Sequence, residues 1–249
     1  MPLNLSTLKL SEMTTLGMAL RATGTAALST EEIAGRMVDL LYNEFIDSNS
    51  NKPACALVRF YLTLQYAELD DELRAFGEKL MAGHQLSPDT QCLTLLATKG
   101  EAAAWNSRKT SAGHQTIPLP SKQVVQAIPM ISQLITQLGL DVATVIAPDR
   151  SLVLESEQRT YNVFFVPEAA GSPYIPAQDD FVLPHGIRSV VGFGGLLPSG
   201  NVYALLMFTK VSVSRATADI FRNAAMNVKV ALRSFADLPI FGSSSHEAH

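Results

Sequence analysis

Two apolar runs, Ile187–Leu197 and Asn201–Val211, stand on either side of Pro198-Ser199-Gly200. Strand-sized apolar segments joined by so short a Pro/Gly turn predict a β-hairpin, and this narrows the fold of the chain more than any other feature. Gly192, Gly194 and Gly195 interrupt the first arm, which predicts a bulge or a close approach of another backbone there.

Working outward from the hairpin, a helix is expected from Ser214, with Ile220, Phe221, Ala224, Ala225, Val228 and Ala231 on one broad face. Near the other end, Ser29 and Glu32 have the spacing of a capping box, and Ile33, Met37, Leu41 and Phe45 recur every fourth residue. Ala56, Val58, Phe60 and Leu62 alternate with Leu57, Arg59, Tyr61 and Thr63, the period of a strand with one face on a core. Asp70 or Asp71 caps a short helix carrying Leu73, Phe76 and Leu80, and Cys92–Thr98 reads as a second strand.

Val124, Ile128, Ile131, Ile135 and Leu138 form a helical stripe that Pro129 should kink or divide and Gly139 should end. Strands are predicted at Val142–Ile146, Leu152–Glu155 and Tyr161–Val166. Two polar stretches, Lys99–Pro120 and the proline-rich Pro167–Gly186, read as long connections, and connections of that length are often functional. Consecutive antiparallel strands with helices at both ends predict an α+β domain.

The 249 residues suffice for one domain with a real core. A charged content of 17% and a formal net charge of −4 give no basic field for a phosphate backbone, so no nucleic-acid partner is expected. No apolar stretch approaches the length of a membrane span, and the N-terminus reads poorly as a signal peptide. Cys55 and Cys92 make no disulfide framework and lack the spacing of a structural zinc site, which favours a reducing, cytoplasmic setting.

The stretch GIRSVVGFGGLLPSGNVYALLMFTK, followed by a helix ending NAAMNVKVALRSF, resembles the C-terminal half of GAF domains. The positions that carry the resemblance are Ile187-Arg188-Ser189, Ser199-Gly200 and Ala224 through Leu232, and it extends from about Ser29 to Phe235. More narrowly, AAAWNSRKTSAGHQTIPL and the segment from Thr160 to Gly195 look like a GAF-like sensory region of bacterial multidomain signalling proteins.

The resemblance implies a GAF/PAS-like central antiparallel sheet flanked by helices on its faces, with the N- and C-terminal helices packed together. The domain is then 29–236, preceded by an extension over 1–28, either helix or linker, and followed by a flexible tail over 237–249. It also implies a sensory module that binds a small molecule and relays occupancy through terminal helices to a signalling protein such as a histidine kinase, with a homodimer expected. No enzyme activity is expected, and the cofactor is left unknown. The Asn-Lys-Phe-Asp-Glu pattern of cyclic-nucleotide-binding members is absent, as is the Cys-His pair of bilin attachment.

Candidate ligand-binding residues come from the two connections and their flanks. Trp105, Asn106, Arg108 and His114 offer a flat apolar wall with polar neighbours, or else a tryptophan that merely anchors its loop. Tyr161, Phe165 and Tyr174 would form the opposite wall unless they are core. His185 and Arg188 place an imidazole and a cation beside the glycine-rich strand, or else on a solvated loop. Two alternatives remain: a ligand-free dimerisation or protein-interaction module, and, more remotely, a thiol redox enzyme of the GAF-fold methionine-sulfoxide-reductase kind using Cys55 and Cys92. G-x-S-x-G, P-loop, H-E-x-x-H and dinucleotide fingerprints are all absent.

Overall fold

The computed structural model describes residues 2–81, 84–111, 113–148, 162–233 and 238–242. Tyr161 and the strand expected at Leu152–Glu155 lie outside the described residues. One mixed α+β domain is built on a six-stranded antiparallel sheet. Its strands are β1 (Cys55–Gln65), β2 (Gln91–Gly100), β3 (Thr116–Pro118), β4 (Val163–Val166), β5 (Ser189–Leu196) and β6 (Val202–Thr209), in the order β3-β2-β1-β6-β5-β4.

The expected hairpin is β5 and β6, paired without a register shift from Ser189↔Thr209 to Leu196↔Val202. The glycines in β5 therefore mark close approach, not a bulge. β1 lies at the centre between β2 and β6, and both of its faces are covered, so residues 55–64 are all buried. The alternation seen in sequence separates two cores here, where it was expected to separate core from solvent.

One face packs on helices α1 (Leu10–Ala22), α2 (Thr30–Glu44), α7 (Arg215–Ile220) and α8 (Arg222–Arg233), while α3 (Asp71–Leu80) lies beside edge strand β3. The capping serine behaves as its spacing predicts, with Ser29 Oγ accepting from Glu32 N at 3.1 Å. The reciprocal bond slips by one residue, because Glu32 Oε2 accepts from Leu28 N. The extension over 1–28 contributes α1, whose Met13, Leu16 and Leu20 are buried in the same core as the sheet. The final helix is divided at Phe221, a break that its broad apolar stripe concealed.

Residues 238–242, expected to be part of a flexible tail, dock on α2. The carbonyls of Pro239 and Ile240 accept from Thr30 N and Glu31 N at 3.0 and 2.8 Å, filling donors that a helix N-terminus leaves unpaired.

The other face carries α4 (Lys122–Ala127), α5 (Pro129–Gln137) and α6 (Val142–Ile146), together with the two long connections. Pro129 divides the stripe as predicted, sitting at the first turn of α5 where its missing N–H costs nothing. Val142–Ile146 is a helix, contrary to the strand its β-branched residues suggest. Asp141 caps it, accepting from Ala143 N at 2.7 Å, and the buried Val145 holds it on the sheet. The first connection is less irregular than expected, since it contains β3. Edge strand β4 is closed by a side chain: the Gln137 amide donates to Phe165 O and accepts from Phe165 N.

Candidate functional site

After β2 ends at Gly100, the chain makes a 3-10 turn over Ala103–Asn106. Asn106 fixes the turn by accepting from Gly100 N at 3.0 Å, which lays Trp105 over the sheet. Its indole meets Phe181 edge-on, with centroids 5.5 Å apart, and His185 at 4.5 Å, while Phe181 in turn meets Phe208 of β6 at 5.0 Å. Trp105 and His185, predicted from separate connections, are thus brought together. Phe181 joins them and was not foreseen, because one aromatic in an aperiodic proline-rich stretch gives no signal.

Beside this cluster Glu101 binds an imidazole and an ammonium, with its carboxylate oxygens 2.7 Å from His185 Nδ1 and 2.7 Å from Lys210 Nζ. Partial burial pushes the Glu101 carboxyl up, but the bonds from Lys210 and His185 outweigh it and leave the group below its usual 4.5. A depressed carboxyl contributes stability above the unfolded value, and that contribution is lost as pH falls through the folded one. Urea unfolding should therefore show the wild type losing more stability than Glu101→Gln from about pH 5 to pH 3. Parallel pH dependences would remove Glu101 from the account.

Arg108 turns away from this cluster. Its guanidinium lies 2.6 Å from Glu31 and 3.5 Å from Asp70, and sits 4.6 Å above the ring centre of Phe241. With its side chain only 10% exposed, it ties the first connection to α2 and to the docked C-terminal segment.

Beneath the first connection lies a residue passed over in the sequence. Arg59, in the middle of β1, is 7% exposed. Its Nη1 donates to the Tyr61 hydroxyl at 3.1 Å and its Nη2 to Ser111 Oγ at 2.8 Å, while Nε has no partner among the described residues. A bulge in the β1–β2 ladder between Phe60 and Tyr61 shifts the register by one, so Thr98, not Ala97, lies across from Arg59. Buried Thr98 Oγ1 likewise has no partner. His114 holds a left-handed backbone, φ 56°, at the end of the loop. Although the residue is exposed by area, crowding of its ring and then the Arg59 charge hold His114 below its usual 6.5.

The remaining candidates do not converge. Phe165 is corrected to a core residue: it is buried on the helix-packed face, away from the connections. Tyr174 and Arg188 are exposed, and among the described residues Arg188 makes only backbone bonds. An apolar crevice on the loop face, lined by Leu119, Ile131, Leu134 and Leu138 among others, lies under α5 and α6, with Leu119 its one lining residue from a predicted loop; it has room for no more than about one water. Among the described residues no helix is long and apolar enough to cross a membrane, and no group of three or more His, Cys, Asp or Glu could hold a metal.

Cys55 and Cys92 cannot form a redox pair with each other in this fold. Cys92 lies opposite Leu64, nine residues along β1 from Cys55, or roughly 30 Å at the rise of a strand, whereas a disulfide needs Cα atoms within about 7 Å. Burial pushes both thiols up to about 12, leaving neither poised as a nucleophile.

No family model and no curated protein matches the chain. Among solved structures it is similar to free methionine-R-sulfoxide reductase from Neisseria meningitidis in complex with its substrate, at 10% identity and a TM-score of 0.47, over 94% of this chain and 99% of that one. That neighbour is an enzyme, so the expectation that this chain is not one is withdrawn; the likeness is too slight to bring the neighbour's activity, substrate or residue roles to this chain.

Proposed function

We propose that the chain is a GAF-like cytoplasmic sensory domain that binds a small molecule on the loop-covered face of its sheet. Occupancy is relayed through the terminal segments to a signalling partner such as a histidine kinase. The observation that carries this reading is the tie made by Arg108. One side chain of the connection that roofs the sheet face holds both Glu31, at the start of α2, and Phe241, in the C-terminal segment. A ligand that favours one position of that connection biases the C-terminal segment by its difference in affinity for the two arrangements.

Hydrogen exchange tests the relay. The Glu31 amide donates to Ile240 O and the Gly242 amide to Glu31 Oε2, so both report docking of the segment. Arg108→Ala should speed their exchange about tenfold, and a metabolite found by thermal shift should change it in the wild type. Exchange that responds to neither would sink the reading.

The exposed Leu10, Met18 and Met226 favour a second role for the terminal helices α1 and α8, which pack against each other: an interface between two copies of the chain. Light scattering over a wide concentration range should then show a dimer that Met18→Glu dissociates. A monomer throughout removes this role.

A further inference from the structure

We infer that Arg59 anchors a binding site for the carboxylate of a small, largely apolar monocarboxylic acid. The inference rests on the ligand-binding reading above and names the class of ligand. A guanidinium as deeply buried as Arg59 ordinarily has a carboxylate beside it, because an uncompensated buried charge is costly. Among the described residues Arg59 has none, and both of its partners are neutral hydroxyls.

Each of those hydroxyls already accepts from Arg59, so its own proton is left to donate. Neither the Tyr61 nor the Ser111 hydroxyl has an acceptor among the described residues. Thr98 Oγ1 across the ladder and Arg59 Nε are likewise without a partner. The surroundings of Arg59 thus hold a surplus of donors and lack an acceptor, which is the chemistry an anion completes.

The charge and shape of that anion follow from the neighbours. A guanidinium edge matches the two oxygens of a carboxylate. Arg59 supplies one positive charge, and His114, held below its usual pKa, adds none at neutral pH. One cation balances a monoanion and leaves a phosphate dianion uncompensated. Leu206 flanks Arg59 across the other ladder, and Leu57 and Leu95 belong to the same buried cluster, so the body of the ligand is apolar.

The test titrates the full chain with acetate, butyrate and hexanoate, using butyramide and inorganic phosphate as controls, and follows melting temperature and calorimetric heat. At least one alkanoate should bind saturably while butyramide and phosphate do not. Arg59→Met should lower that affinity about 100-fold or more, and should melt no lower than the wild type, because a buried charge without a counter-ion is replaced by an apolar side chain of similar length. Tyr61→Phe, which removes one donor, should weaken binding about tenfold. The inference is overturned if no alkanoate binds, if phosphate or butyramide binds as well, if folded Arg59→Met binds unchanged, or if Arg59→Met melts well below the wild type. Alkanoate binding that leaves the Gly242 amide unaffected would keep this site and remove the relay; another metabolite that alters that amide while every alkanoate fails would do the reverse.

Discussion

Gly194→Ala is expected to destabilise the domain by about 3 kcal/mol or more, at or beyond the upper end of ordinary overpacking. A methyl group built there would lie 2.2 Å from the carbonyl oxygen of Tyr203, 3.1 Å from Ala204 Cα and 3.2 Å from a Leu138 methyl. The first two are backbone atoms of the partner strand β6, so no side-chain rotation relieves the clash. Relief requires β5 to lift from β6, which breaks ladder bonds in the middle of the sheet. The same substitution at Gly35 should have the opposite sign. Gly35 lies inside α2, where nothing stands within 4 Å of the new methyl, and alanine there should stabilise by about 0.5–1 kcal/mol. Urea unfolding of both variants checks the pair. A cost below about 1 kcal/mol at Gly194 would mean that the two strands separate more easily than their register implies.

The glycines show how far the sequence could be read. Their position in an apolar arm signalled that something comes close, and it is the facing strand, but only the three-dimensional register identifies the atom. The hairpin, the capped helix from Ser29 and the division at Pro129 were legible for the same reason: each rests on contacts within a few residues. Features decided by distant partners were not. β3 is three residues long and exists because Cys92, Leu93 and Thr94 pair with it. Val142–Ile146 has strand-forming residues, yet a cap and one buried valine make it helical.

Trp105 and His185 meet in the structure, and a tryptophan and a histidine on long connections stand out in sequence. Arg59 was missed because its strand looked like an ordinary alternation with one wet face. The signal lay in its neighbours: Leu57 and Tyr61 flank it on the supposedly polar side, and both are buried, so a covering layer had to exist and the arginine had to lie beneath it. Local spacing gives Arg108 the look of a ligand contact, because its long-range partners, Glu31 and Phe241, lie far away along the chain.

Phe221→Ala should cost about 3–5 kcal/mol, the usual toll for truncating a fully buried aromatic. Phe221 has no exposed surface and stands where the final helix breaks into α7 and α8. Its ring meets Phe193 of β5 at 5.5 Å, stacked, and Phe45 at the end of α2 at 5.8 Å, tilted. One side chain therefore joins the sheet to a helix near each end of the chain, and truncation leaves a cavity bounded by two rings that cannot both close it. Phe221→Leu, which keeps most of the volume and loses the ring contacts, should cost no more than about 2 kcal/mol. If the terminal helices carry the output, Phe221→Leu should also loosen α8 while the sheet stays intact, because Tyr203 on β6, whose hydroxyl donates to Ala225 O at 2.6 Å, then remains as the tie to that helix. Hydrogen exchange on Phe221→Leu should accordingly rise along Arg222–Arg233 and not along Val202–Thr209. A uniform rise in both would show that helix and sheet open as one unit, and would leave α8 no independent motion with which to signal.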